Sequence, residues 1–342
     1  MSPYPSSPPK NTYSLPMKIL VYTEISEGEI KKPSLEAASY GYALAQQTGG
    51  ELVSVAIGQP QNGQLERVKQ AGVSRLIHVN DDQLATFVDA AYATALAGVI
   101  EKEAPRVVVF PQSYDSKAVA PRVAAKLDAG FIPGAAELAK VEADSVTVRR
   151  VAHSTKSFQD VKATSKLVLL SVKPNSFGVE QNPASDLNIE TAAYTAGEND
   201  FKLKPVERVK AADGISLTEA DVVVSAGRGL KGPENWGMMD ELAGLLNAGQ
   251  ACSKPVSDVG WRPHHEHVGQ TGIQIAPNVY IAVGISGAIQ HLAGVSSSKT
   301  IIVINKDEEA PFFKAADYGM VADAFDVIPK LNEAVKEKKA SA

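Results

Sequence analysis

Short apolar segments alternate with predicted helices along most of this chain. From Met17 the apolar segments are residues 18–22, 51–57, 75–79 and 106–110, and helices are predicted at about 34–47, 83–104 and 117–127. Because these segments are apolar throughout, rather than alternating with polar residues, they are typical of parallel strands covered on both faces. The pattern predicts an α/β fold built on a mainly parallel sheet.

The pattern changes between residues 140 and 210 and then resumes. Residues 146–151 and 165–172 look like antiparallel strands, and residues 191–196 and 202–209 are extended and charged, so we expect a β-rich annex there. Beyond a boundary at residues 210–214, further strands are predicted at 220–225, 254–256, 279–283, 300–305 and 320–322. We therefore predict two α/β domains, residues 17–210 and residues 211–342.

The first 16 residues are rich in serine and proline and carry one charge, Lys10. They lack the apolar core of a secretory signal, so we expect a disordered extension before Met17. The opening strand of the first domain is followed by no glycine cluster that would cradle a phosphate. We therefore expect the first domain to serve mainly as a subunit interface.

Bulk properties exclude several classes of protein. The net charge of −5 gives no electrostatic basis for binding nucleic acid. No apolar run reaches the roughly 18 residues of a membrane span. The single cysteine, Cys252, is consistent with a reducing compartment, and we expect a bacterial cytoplasmic protein.

Residues 227–232 read Gly-Arg-Gly-Leu-Lys-Gly, between the strand at 220–225 and a helix predicted from Pro233 to about Asn247. In this context a G-x-G-x-x-G spacing lets the backbone approach a diphosphate at a helix N-terminus. An NAD site also needs a carboxylate about 20 residues further on, and residues 248–251 contain none. The loop alone leaves three alternatives: a structural turn, an NAD site or a site for another dinucleotide.

Polar residues gather directly after the predicted strands of the second domain. They are Arg228, Ser257 and Asp258, Ser286, residues 305–307, and Asp323. Ligands of open parallel sheets lie beyond the carboxyl ends of the strands, so these residues indicate a site at one edge. The run from His264 to His267 invites a metal interpretation, but adjacent ligands rarely converge on one ion. We expect a solvated loop near the cofactor and no metal site.

A set of ordered motifs in the second domain closely resembles the α subunit of electron transfer flavoprotein. The motifs are residues 225–231, 268–272, 280–291, 304–307, 316–319 and 321–323. The resemblance covers roughly residues 220–335 and is looser upstream, at 17–24 and 119–126. It implies a nucleotide-hydrolase-like first domain of the Rossmann type and a Rossmann-like second domain that holds FAD.

The resemblance also implies the residues that contact FAD. They are Arg228, Ser253, Lys254, Val268, Gly269, Gln270, Thr271, Ser286, Gly287, Ala288, Ile289, Gln290, His291, Asn305 and Asp323. Residues 268–271 match the loop that passes the flavin ring, and Asn305 and Asp323 match contacts to the adenosine half. Ser286 is expected to cap a helix that faces a phosphate.

Two of these residues bear on the redox chemistry. The resemblance places His291 beside the flavin O2, where a donor or a positive charge favours reduced anionic forms. Lys254 departs from the family, which commonly has an arginine at this position. Lysine keeps the charge but loses the planar stacking and the donor fork of a guanidinium, which leaves the redox potential open. Lys254 could also be an ordinary solvated charge.

The implied function is that of an electron carrier rather than an enzyme with its own organic substrate. FAD would accept electrons from dehydrogenases, such as acyl-CoA dehydrogenases, and pass them singly to an acceptor such as a membrane quinone oxidoreductase. The family works as a heterodimer with a β subunit. The alternatives are an NAD-linked oxidoreductase on a similar fold, a nucleotide-binding module without redox activity, and a subunit of a bifurcating or nitrogen-fixation electron transfer flavoprotein.

Overall fold

A computed structural model describes residues 17–153, 157–203, 205–207 and 215–341. The predicted extension at residues 1–16 and the predicted boundary at 210–214 lie outside these ranges. The described residues divide into two compact units. The first contains residues up to 150, 160–173 and 177–205, and the second contains 151–159, 174–176 and the residues after 205.

Twelve of the strands precede residue 200. They are β1 (Lys18–Thr23), β2 (Ile25–Ser26), β3 (Glu29–Ile30), β4 (Glu51–Ile57), β5 (Arg75–Val79), β6 (Val107–Pro111), β7 (Gly130–Ala135), β8 (Lys140–Val141), β9 (Val146–Ala152), β10 (Ser157–Ala163), β11 (Val168–Val172) and β12 (Asn188–Thr191). In the described part of the chain, ten of them form one sheet in the order β10-β9-β7-β11-β6-β1-β4-β5-β12, with β8 paired to β9. Strands β2 and β3 form a separate hairpin.

Helices cover both faces of this sheet: α1 (Lys32–Thr48), α2 (Asp89–Glu103) and α3 (Tyr114–Lys126). Successive residues of β1 point to opposite faces, and both faces are buried. Ile19 and Val21 join the cluster that contains the apolar residues of α1, and Leu20 and Tyr22 join the cluster of α2 and α3. The covered, mainly parallel sheet predicted from the apolar strands is confirmed.

The prediction that residues 165–172 form an antiparallel strand is wrong. Strand β11 lies between β6 and β7 and runs parallel to both, so it belongs to the centre of the sheet rather than to an annex. All five of its residues are buried, as a central strand requires. Residues 188–191 likewise add a parallel strand beside β5. Antiparallel pairing in this region joins β9 to β7 and β8.

The second sheet has five strands in the described residues: β13 (Val222–Ala226), β14 (Gly249–Cys252), β15 (Val279–Val283), β16 (Thr300–Asn305) and β17 (Tyr318–Val321). All pairs are parallel, in the order β14-β13-β15-β16-β17. The helices are α4 (Gly237–Leu246), α5 (Lys254–Asp258), α6 (Ile289–Val295) and α7 (Ala324–Ala340). Two apolar clusters, one on each face, bury the sheet.

The predicted strand at residues 254–256 is also wrong, because these residues open helix α5. The strand lies earlier, at Gly249–Cys252. Pro255 explains the difference: proline has no N–H for a strand ladder but suits the first turn of a helix. None of the helices in the described ranges has the length and hydrophobicity of a membrane-spanning helix.

Candidate cofactor-binding site

A cavity of about 540 Å³ opens at the carboxyl edge of the second sheet. Its walls are the loops that follow β13, β14 and β15, together with the loop before β15. The chain passes from β13 to β14 on one side and then returns to β15 on the other, so the strand order reverses at β13. A cavity at such a reversal is the usual ligand site of an open α/β sheet, and its size suits a cofactor.

Most of the residues expected to contact the cofactor lie together on this cavity. The lining residues are Arg228, Ser253, Lys254, Pro255, Asp258, His267, Val268, Gly269, Gln270, Thr271, Gly284, Ile285, Ser286, Ala288, Gln290 and His291. Four expected residues are absent from this lining: Gly287, Ile289, Asn305 and Asp323. Asn305 and Asp323 are the residues predicted to contact the adenosine half, whereas Gly287 and Ile289 belong to the stretch 286–291, whose other residues line the cavity.

The glycines of the 227–232 loop pack against another loop. The amides of Gly227 and Gly229 donate to the carbonyls of Val283 and Gly284. A Cβ on Gly227 or Gly229 would lie 2.3 or 2.6 Å from backbone atoms of Gly284, so only glycine fits. These amides are therefore not free for a phosphate, and the glycine spacing itself is that of a structural turn.

The two cations of this loop lie in different environments. Arg228 lines the cavity. Lys231 instead places its Nζ over the ring of Phe325, 4.7 Å from the centroid. The helix predicted from Pro233 begins as a 3-10 turn at Pro233–Asn235 and becomes α-helical at Gly237. Arg228 is thus the residue through which this loop contributes to the cavity.

The loop at residues 268–271 is fixed on both sides of the cavity. The amide of Val268 donates to the carbonyl of Cys252, at the end of β14, and the amide of Gln270 donates to the carbonyl of Gln290 in α6. The side chains of Gln270 and Thr271 stay exposed and line the cavity. A fixed backbone that presents an amide and a hydroxyl suits hydrogen bonding to the edge of a heterocycle.

The prediction that Ser286 caps a helix is wrong. Helix α6 starts at Ile289, its N-cap is Ala288, and no side chain caps it. Ser286 is exposed on the cavity, and its carbonyl accepts from the amide of Phe312. Gly287 has a φ of +79°, and a Cβ there would lie 2.4 Å from Phe312, so this glycine permits the close turn.

The comparisons with known proteins agree with this geometry. The family model "Electron transfer flavoprotein domain" matches residues 19–213, and "Electron transfer flavoprotein FAD-binding domain" matches residues 216–296. The second match spans every residue that lines the cavity. The chain belongs to the electron transfer flavoprotein α-subunit family. The resemblance inferred from its motifs is confirmed, and so are FAD as the cofactor and the two-domain α/β fold class.

Several relatives match nearly the whole chain. "Electron transfer flavoprotein subunit alpha" of Bacillus subtilis is 35% identical over 94% of this chain and 98% of the relative. The protein of the same name from Syntrophomonas wolfei is 36% identical over 93% of this chain and 98% of the relative. "Protein FixB" of Clostridium saccharobutylicum is 30% identical over 93% and 96%.

The residues of the cavity fit FAD chemically. Arg228 and Lys254 supply positive charge for a diphosphate or an anionic ring, and the side chains of Ser253, Gln270, Thr271 and others supply neutral donors and acceptors. Two buried lining atoms, Nδ1 of His267 and Nδ1 of His291, have no hydrogen-bond partner in the described structure. FAD supplies the electron chemistry when it is bound, and these lining residues are the ones that would bind and orient it.

His291 lies in the cavity wall as a buried, neutral histidine. Its Nε2 is 2.8 Å from the hydroxyl of Tyr280, and its ring meets Phe312 edge-on. Burial, with a smaller repulsion from His267, lowers the pKa of His291 to about 4. The backbone of Val268 partly offsets this lowering. Of the two alternatives expected at this position, a hydrogen-bond donor or a positive charge, the lowered pKa favours the neutral donor in the cofactor-free protein near pH 7.

Asn305 and Asp323, the predicted adenosine contacts, already form hydrogen bonds with neighbouring backbone groups. The side-chain amide of Asn305 donates to the carbonyl of Ile285 at 3.0 Å and thereby supports a loop of the cavity. Asp323 caps α7 by accepting from the amide of Phe325 at 3.0 Å. Ile289 is exposed outside the cavity lining. Contact of these residues with FAD stays a prediction.

Five lining residues were not among the expected FAD contacts: Pro255, Asp258, His267, Gly284 and Ile285. His267 is 2% exposed, so the expected solvated loop holds only for its neighbours His264 and His265. Burial, with repulsion from His264 and Lys254, lowers the pKa of His267. The sequence did carry signals for them: Pro255 and His267 adjoin expected contacts, Gly284 and Ile285 lie within the motif at 280–291, and Asp258 is one of the polar residues at the predicted sheet edge.

Proposed function

We propose that this chain is the FAD-carrying subunit of an electron carrier and works as a heterodimer with an electron transfer flavoprotein β subunit. Its FAD takes electrons from flavin dehydrogenases, such as acyl-CoA dehydrogenases, and passes them singly to an acceptor such as a membrane quinone oxidoreductase. The chain has no organic substrate of its own. The observation that carries this proposal is that one cavity collects the cofactor motifs and lies wholly within the matched FAD-binding domain.

Each group of lining residues has a proposed role in holding FAD. Arg228 offers a guanidinium from a loop whose backbone is hydrogen-bonded to Gly284, which suits the diphosphate. Gln270 and Thr271 hydrogen-bond the edge of the flavin ring. Lys254 supplies a positive charge at the ring that favours anionic forms over the neutral oxidised form.

The first test is the identity of the cofactor. The chain is co-expressed with its β subunit and purified without added cofactor, and the bound nucleotide is released and identified by mass spectrometry beside the visible spectrum of the complex. We expect one FAD for each copy of this chain. NAD without flavin would favour the alternative of an NAD-linked oxidoreductase, and no nucleotide at all would contradict both.

The second test assigns FAD to this cavity. Arg228→Gln removes the guanidinium that lines the cavity and should lower the affinity for FAD at least tenfold in apoprotein titrations. Arg122→Gln is the matched control, because Arg122 is a half-exposed arginine of the first unit that pairs with Asp89. Equal FAD affinity in the two variants would contradict the proposed site.

A further inference from the structure

Asp258 and Lys254 form an ion pair on the wall of the cavity. They are the last and first residues of α5, four positions apart, and Nζ of Lys254 lies 3.2 Å from Oδ1 of Asp258. Both residues line the cavity. Among the lining residues of the described structure, Asp258 is the sole carboxylate, beside two cations, Lys254 and Arg228.

The backbone beneath this pair is fixed. The amide of Ser253 donates to the carbonyl of Ala226, which ties the start of α5 to the end of β13. Val256 is fully buried, and its carbonyl accepts from the amide of Trp261. The two side chains are about half exposed. The Lys254 ammonium thus stands on a flexible side chain above a hydrogen-bonded backbone, and Asp258 is the carboxylate that pairs with it.

This pairing has two effects, and both oppose reduction of a bound cofactor. The Asp258 carboxylate repels negative charge that a cofactor gains on reduction. It also retains the Lys254 ammonium, which would otherwise turn toward that negative charge. Lysine is a point charge on a flexible stem and follows its nearest anion, whereas the arginine common in the family has a planar fork that can satisfy two partners.

We propose that Asp258 is a positioning residue that restrains Lys254 and so lowers the first reduction potential of the bound FAD. This inference rests on the proposed function, since it concerns the same cavity and its cofactor. Removing the carboxylate removes a repulsion and releases the lysine, so both effects stabilise the reduced cofactor. The pair thus sets how strongly this chain prefers reduced over oxidised FAD.

The test is a spectroelectrochemical titration of the FAD-loaded complex with its β subunit. Asp258→Asn should shift the ratio of affinities for reduced and oxidised FAD at least threefold toward the reduced form, roughly 28 mV upward for one electron. Asp258→Glu keeps the carboxylate and should stay near the wild-type potential. Glu333→Gln is the matched control, because it removes the same charge from an exposed position of α7 outside the cavity lining.

A double-mutant cycle separates restraint of the lysine from charge alone. Lys254→Met should lower the potential, and Asp258→Asn should shift it less than half as far in that background as in the wild type. The inference would be overturned by an equal shift in both backgrounds, by a shift no larger than that of Glu333→Gln, or by a downward shift. In each of these cases the proposed function would still stand if FAD is bound. Absence of flavin from every protein would overturn both.

Discussion

Acidification should destabilise the second unit through His291. The histidine is buried, and its pKa of about 4 lies well below the value of about 6.5 that it has in an unfolded chain. Between these values the unfolded state takes up a proton that the folded state excludes. The contribution of His291 to the free energy of unfolding is therefore complete above about pH 6.5 and is lost as the pH falls toward 4.

The magnitude follows from the two pKa values. Each pH unit between them corresponds to about 1.4 kcal/mol, so a difference of about 2.5 units corresponds to about 3 kcal/mol. At pH 4.5 most of this, about 2.5 kcal/mol, should be lost. The lowered pKa of His267 acts in the same direction and adds to the loss.

Urea unfolding of the cofactor-free chain between pH 8 and 4.5 measures this effect. Both tryptophans of the chain, Trp236 and Trp261, belong to the second unit, so their fluorescence follows its unfolding. In His291→Gln the loss of stability with acid should be smaller than in the wild type by about 2.5 kcal/mol. His265→Gln is the control, because His265 is an exposed histidine of the same unit. If His291→Gln loses as much stability with acid as the wild type, the burial argument is wrong.

Three further predictions concern packing and the chain terminus. Gly229→Ala should destabilise the second unit by about 1–3 kcal/mol in the same urea titration, because its Cβ would lie 2.6 Å from Gly284. The control Gly244→Ala in α4 meets no atom within 4 Å and should be neutral or stabilising. Asp200→Asn should lower the stability of the first unit by about 1–3 kcal/mol in differential scanning calorimetry, because the buried carboxylate accepts two hydroxyls and an amide. A chain that starts at Met17 should keep its melting temperature and FAD content, and a large drop in either would contradict the expectation for residues 1–16.

The elements of the first sheet were predictable where the sequence carried a single, unambiguous pattern. Strands at residues 51–57 and 75–79 were predicted with the bounds that the structure has. The direction of β11 was not predicted correctly, because an apolar run indicates that a strand is buried but not whether the neighbouring strands run parallel or antiparallel to it. Its five consecutive apolar or small residues were nevertheless a signal for a central position, since an annex strand exposed on one face would alternate.

The residues of the candidate site could be predicted where a sequence motif covers them. Their burial and charge could not be predicted where these depend on tertiary packing. Residues 268–271 were found as a block because they form one loop. The burial and neutral state of His291 depend on Tyr280 and Phe312, which only the fold brings to it. Asp258 was predictable only as one of the polar residues at the sheet edge, because its ion pair with Lys254 requires residues 254–258 to form a helix, where a strand was predicted at 254–256.

The charge of the cavity wall depends on which of its ionisable side chains are buried. Arg228 and Lys254 already place two cations along it, and a third charge on the buried His291 would have to form without water and against repulsion from His267. His291 and His267 are therefore neutral wall residues in the cofactor-free protein. Among the described lining residues, positive charge toward a bound FAD would therefore come from Arg228 and Lys254, and under the inference above Asp258 moderates it. Substitutions at Lys254 and Asp258 should for this reason change the redox potential more than neutral substitutions of either histidine.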